Sequence, residues 1–185
     1  GQVEILSTTL GRAVSVIGVI SVIAVGIYIY NDMQQDAMVS EVEAIIAAVD
    51  AQYLASGTYE GLSTQTMAST GVLPQSYLGI QDGGWPGLIT PWHSMLWVDF
   101  AYNSITNIQY GAWNLTMPSV PIAECNILAT MKFHSEIGMS MNDDARNPAE
   151  NLSSNYQPLS PSDAALACSN NGASSGSVPM KMTFD

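Results

Sequence analysis

From Ala13 to Tyr30 the chain is apolar apart from Ser15, Ser21 and two tyrosines, and it carries no charge. Roughly 20 mostly apolar residues cross a bilayer core as a helix, so this stretch suits either lipid or the core of an oligomer. Val14, Ile17, Ile20, Val22, Val25 and Ile27 are its candidate packing residues. The pattern then changes without a break. Between Asn31 and Leu54, Val39, Val42, Ile46, Val49 and Tyr53 recur at steps of three and four, which stacks them on one helical face. Asp32, Asp36, Glu41, Glu43 and Asp50 supply the polar remainder, and the first stop signal is Ser56-Gly57. The pattern predicts one helix from near Gly1 to about Leu54, roughly 80 Å long at 1.5 Å per residue. Gly11, Gly18 and Gly26 weaken its first half and let backbones approach closely. Its second half is fit to lie on a globular head.

The remainder predicts a small head. Leu62 to Ser69 reads as a short helix ended by Gly71, and Tyr77 to Trp92 as a Gly- and Pro-rich loop. Ser94 to Tyr102 alternates like a strand, with Asn103-Ser104 as its turn and Ile105 to Met117 as its hairpin partner, where Gly111 disturbs the register. Pro121 to Phe133 reads as a helix with proline in its first turn, Gly138 to Gln157 as polar loop, and Ser160 to Cys168 as a helix capped by Ser160. Asn170 to Ser177 is a linker and Val178 to Phe184 a closing strand. The fold class is α+β: a small antiparallel sheet packed on the second half of the long helix. Two domains follow, an apolar helix over residues 1–30 and a head over residues 31–185.

Charge narrows the functions open to such a chain. The net charge is −12, and only Arg12, Lys132, Arg146 and Lys181 are positive. Neutralising phosphates needs clustered cations, so no nucleic-acid partner is expected, nor is rest on anionic headgroups. Acidic solubility is the plain reading of the surface. The N-terminus does not read as a secretory signal, because Glu4 precedes the first cation, the apolar run is too long and no cleavage site follows Tyr30.

Catalytic chemistry finds no support in the motifs. His93 and His134 are the only histidines; no nucleophile elbow, phosphate loop or dinucleotide fingerprint is present. His134, Glu136, Asp143 and Asp144 lack metal-ligand spacing and read as a solvated loop. No cofactor or metal is expected. The methionines between 131 and 141 read as packing. Asn114-Leu115-Thr116 and Asn151-Leu152-Ser153 match the glycosylation pattern by chance. Cys125 and Cys168 form a disulfide if the chain is exported, or remain two buried thiols.

Three features together resemble the type IVb pilins. They are a carboxylate near the N-terminus (Glu4), an apolar stretch ending in Tyr28 and Tyr30, and the run SEVEAIIAAVDAQYLASGTYEGLSTQTMASTGVLPQSY from Ser40 to Tyr77. The passage from Tyr110 to Leu128, a strand leading into a Cys-containing helix, is similar too, and the likeness weakens after Phe133. Bundle-forming and conjugative-plasmid thin pili carry pilins of this kind. The resemblance implies a subunit that polymerises with itself into an extracellular pilus (a fimbrium) after a stage in the bacterial inner membrane. Prepilin peptidase and a pilus assembly machinery are its implied partners. It implies no enzyme, a Cys125–Cys168 disulfide bracketing the variable region, and a role in adhesion or mating-pair stabilisation during conjugation. A minor tip adhesin, a pseudopilin and a single-span membrane protein with a binding or enzymatic ectodomain are the alternatives. Glu4 lies one position earlier than the family norm, and Gly1 replaces a bulky first residue; with no leader peptide, the chain reads as the mature form. The resemblance implies that Glu4 pairs with the Gly1 amine of a neighbour, and Arg12 offers a second partner for it. Otherwise Glu4 sits at the headgroup boundary, favouring the helix N-terminus, and Arg12 snorkels.

Overall fold

The computed structural model describes residues 33, 35–80, 83–141 and 152–185. The apolar stretch from Ala13 to Tyr30, and with it the first half of the predicted long helix, lies outside them. Helix α1 covers residues 35–53 and gives way to turns at 54–57, with Gly57 at φ 69°. Its buried face holds Met38, Val42, Ile45, Ile46, Ala48 and Val49, a wider stripe than the five positions predicted. Val39 and Tyr53 flank this core only partly buried.

Six antiparallel strands form one sheet in the order β1-β2-β3-β4-β6-β5. They are β1 (Leu78–Ile80), β2 (Pro86–Ile89), β3 (Met95–Asn103), β4 (Ile108–Pro121), β5 (Glu136–Ser140) and β6 (Ser177–Phe184). The β3–β4 hairpin was legible, although β4 starts and ends later than its pattern predicted. Asn103 shapes the turn: its Oδ1 accepts from the amides of Ile105 (3.0 Å) and Thr106 (3.2 Å), and its Nδ2 donates to the Gly111 carbonyl at 3.0 Å. The register shifts between Ala101 and Asn103, close to Gly111 as expected.

Two predicted loops contain strands. The stretch from Tyr77 to Trp92 holds β1 and β2, which pair Gly79 with Gly87. Pro86 opens its strand, the position where a missing N–H is tolerated. A side chain at Gly79 would collide with Ile89, so glycine there serves close packing. Likewise β5 runs into what read as the loop from Gly138 to Gln157, its last three residues falling within that stretch. It is short and, among the described residues, pairs with β6 alone, and the Ser153 amide donates to the Ile137 carbonyl at 2.8 Å. The predicted closing strand β6 is interior, lying between β4 and β5. That is why six of its eight residues are buried instead of alternating.

Three further helices complete the head: α2 (Thr64–Ser69), α3 (Ile122–Thr130) and α4 (Pro161–Gly172). Ser160 caps α4 through the Asp163 amide. The helix runs through Asn170 to Gly172, part of the expected linker. Its last turn closes on α3, since a Cβ at Gly172 would stand 2.9 Å from Ile122 Cγ1. The main core joins the buried face of α1, Cys125 and Leu128 of α3, Ala164 of α4, and Val98, Trp113, Leu115, Met180, Met182 and Phe184 of the sheet. Trp113 and Phe184 stack across β4 and β6 with centroids 4.4 Å apart. The opposite sheet face carries a smaller apolar cluster of Ala101, Ala112 and Ile137 with Leu152. Beside it lies a polar layer of Asn114, Thr116, Lys181 and Thr183, all buried.

Because Trp113 is fully buried at the centre of the sheet, Trp113→Ala is expected to cost about 3–5 kcal/mol. Urea unfolding of the full chain in detergent, compared with the unsubstituted chain, measures the loss.

Candidate functional site of the head

Of the residues singled out from sequence, Gly1, Glu4 and Arg12 lie outside the described residues. So do Val14, Ile17, Ile20, Val22, Val25 and Ile27. Cys125 and Cys168 are bonded to each other, joining α3 to α4 across 43 residues of chain. Both are fully buried and sit in the main core. The bridge and the packing of Gly172 against Ile122 hold the two helices as one unit against β4 and β6.

An open groove of about 280 Å³ lies between α1 and the connection from α3 to β5. Glu43, Ile46, Ala47 and Asp50 line it from the helix, and Lys132, Phe133 and His134 from the connection between α3 and β5. Burial raises the Asp50 carboxyl, and the nearby His134 opposes that rise. Lys132 is already engaged: its Nζ donates to the Tyr156 carbonyl at 2.5 Å and lies 5.3 Å from the centre of that ring. The groove thus offers an apolar floor edged by both signs of charge. It has the makings of a contact surface and none of a nucleophile–base pair.

Two glutamates read from sequence as solvated are buried. Glu41 lies on the core side of α1 at 1% exposure, with Oε1 unpartnered. Desolvation pushes its pKa up to about 8. Its place is legible afterwards: Met38, Glu41, Val42 and Ile45 fall on one face at steps of three and four. Glu136 is 2% exposed, in the tight turn where Ser135 has φ 60°. Its Oε2 accepts from the Phe133 amide at 3.1 Å. Burial raises it to about 7, against the pull of that amide and of Lys132. Burial and the Glu136 charge together push the Tyr156 hydroxyl upward. Glu136 therefore belongs to the interior, not to a solvated loop, while Asp143 and Asp144 lie outside the described residues.

Other candidates are placed plainly. No group of three or more His, Cys, Asp or Glu side chains suited to a metal comes together among the described residues. Among those residues no helix is long and apolar enough to cross a membrane. Asn114 of the first glycosylation pattern is fully buried and accepts from Thr183 Oγ1 at 2.8 Å, so it offers no acceptor on the folded head. Met131, Met139 and Met141 pack against the main core.

The family profile described as Bundlin matches residues 29–185. The fold is similar to a crystal structure of a type IVb pilin from Salmonella typhi, with a TM-score of 0.54 and 14% identity. The match covers 80% of this chain and 96% of that one. No curated protein matches the sequence.

Replacing both cysteines by alanine frees a loop of 43 residues and is expected to cost on the order of 4 kcal/mol, read as a lower urea midpoint. The buried glutamates set a pH dependence. A carboxyl raised on folding stabilises the native state below its ordinary value near 4.5, and that contribution fades as pH rises through the folded value. Thermal midpoints of the solubilised chain should therefore rise as pH falls from about 8 to about 5. Glu41→Gln should flatten most of that slope.

Proposed function

Because the chain belongs to the Bundlin family, the type IVb pilins, we propose that it is the major structural subunit of an extracellular type IVb-like pilus. The observation carrying this reading is the family match across the whole head, residues 29–185, together with a fold shared with a type IVb pilin. The family is one of structural subunits, and pilins assemble with copies of themselves.

The uncharged stretch from Ala13 to Tyr30 supports a fibre core built from N-terminal helices, with the acidic heads outside. Val14, Ile17, Ile20, Val22, Val25 and Ile27 pack there against other copies. Before assembly the same stretch holds the subunit in the inner membrane. Leaving lipid for a protein core gains little hydrophobic free energy, because both surroundings are apolar. Growth therefore depends on an assembly machinery, and processing on a prepilin peptidase. Glu4 sets the register of an incoming subunit by pairing with the Gly1 amine or with Arg12 of a neighbour. A carboxylate in apolar surroundings demands such a partner. The finished fibre serves adhesion or the stabilisation of mating pairs in conjugation.

Sheared cell-surface fibres, imaged by electron microscopy and identified by mass spectrometry, test the reading. They should consist mainly of this chain, and fibres without it overturn the proposal. Glu4→Gln is expected to cut fibre yield at least tenfold while the subunit still accumulates in the membrane. Undiminished yield would remove the pairing role.

A further inference from the structure

Several large apolar side chains of the described head are open to solvent, and four of them fall together at the end of the β3–β4 hairpin, whereas Leu54, Val72, Ile80, Trp85 and Leu166 lie elsewhere. Phe100, Tyr102, Ile105 and Ile108 are 43%, 44%, 40% and 45% exposed. Phe100 and Tyr102 continue the helix-facing side of β3 beyond the covered Leu96 and Val98. Ile108 stands opposite Asn103, on the other side of the hairpin. The end is held in shape: Phe100 meets Tyr110 edge-on at 4.9 Å, and the Tyr102 hydroxyl donates to Asn107 Oδ1 at 2.7 Å. The Asn103 bonds lock the turn between them.

Charge singles out the occupant. From Phe100 to Ala123 the chain has no Asp, Glu, Lys, Arg or His, although its net charge is −12. Another copy brings the same excess of negative charge, so acidic surface on acidic surface is repelled. The residues of the hairpin end carry no charge, with Glu60 the acid nearest in sequence to the Tyr59 amide that bonds the Tyr110 carbonyl, so contact through them brings the least repulsion. A cationic partner would be drawn to the acidic surfaces instead, and an anionic lipid surface is repelled by the head as a whole.

We propose that this hairpin end is a contact on which a second copy of the chain packs within the fibre. The inference rests on the reading of the chain as a polymer subunit. Four partly exposed side chains at one hairpin end fall short of the roughly 20–30 residues a side, or about 1,600 Å² in total, of a stable binary interface. The contact is one of several each subunit makes and does not join two heads in free solution. The hairpin end meets a different surface of the next copy, as an open helical polymer requires.

The test uses Phe100→Cys and Ile105→Cys in the full chain. Maleimide labelling of each variant in sheared fibres is compared with the same variant dissolved in detergent. Labelling at least tenfold slower in fibres is expected, and equal rates overturn the contact. In a second variant, Tyr102→Glu with Ile105→Glu, fibre yield should fall at least tenfold while disulfide-bonded subunit accumulates at the native level. Normal yield overturns the contact. Absence of the unsubstituted chain from all fibres overturns the polymer reading and this contact with it, whereas open thiols in normal fibres overturn this contact alone.

Discussion

Strand β6 enters the sheet between β4 and β5, and both its edges are thereby used. It pairs with Trp113–Pro121 on one side and Glu136–Ser140 on the other. Its faces are occupied as well, by Met180, Met182 and Phe184 towards the helices and by Lys181 and Thr183 towards the polar layer. Everything between β4 and β6 in sequence, namely α3, β5 and α4, must fit around that insertion. A buried strand cannot leave its amides and carbonyls unpaired, so the head forms around β6 or not at all. The packing of α1, Trp113 and the Cys125–Cys168 bond is built on that arrangement.

This constraint also explains what could be read in advance. Elements with a strong local signal were legible: α1 from its three-and-four stripe, the β3–β4 hairpin from its alternation, α4 from Ser160 and Pro161. Strands defined by their partners were not. β1 and β2 carry Gly79, Pro86 and Gly87, which read as loop, and only the sheet edge they complete makes them strands. β5 contains Gly138 and draws its order from β6. For β6 the strand was readable and its position was not, since nothing local to Val178–Phe184 says which neighbours it will have. Of the candidate site, the disulfide was legible from a count of cysteines. Glu41 and Glu136 were misread because charged residues are so often solvated. The exposed hairpin end escaped notice because apolar alternation predicts burial, and the end of a strand can outrun the layer that covers it.

The head combines two demands that pull apart. An acidic surface keeps copies dispersed in water, and a polymer requires that copies touch. In the proposed contact, the neutral span beginning at Phe100 keeps these demands on different residues. Inside, the solution is different: the carboxyls of Glu41 and Glu136 are raised by burial, so the core tolerates them by favouring the uncharged form. The mixed charges along α1, with His134 near Asp50, stand between these extremes.

The bond between Cys125 and Cys168 has a consequence for timing. Cys125 follows the end of β4 by four residues and Cys168 precedes the start of β6 by nine. Unbonded, the two strands must meet across a long intervening segment, and such distant encounters slow folding. Once oxidised, they are near neighbours along the covalent network. Reducing surroundings hold such bonds open and oxidising ones close them, so the head gains this covalent shortcut only where its surroundings are oxidising.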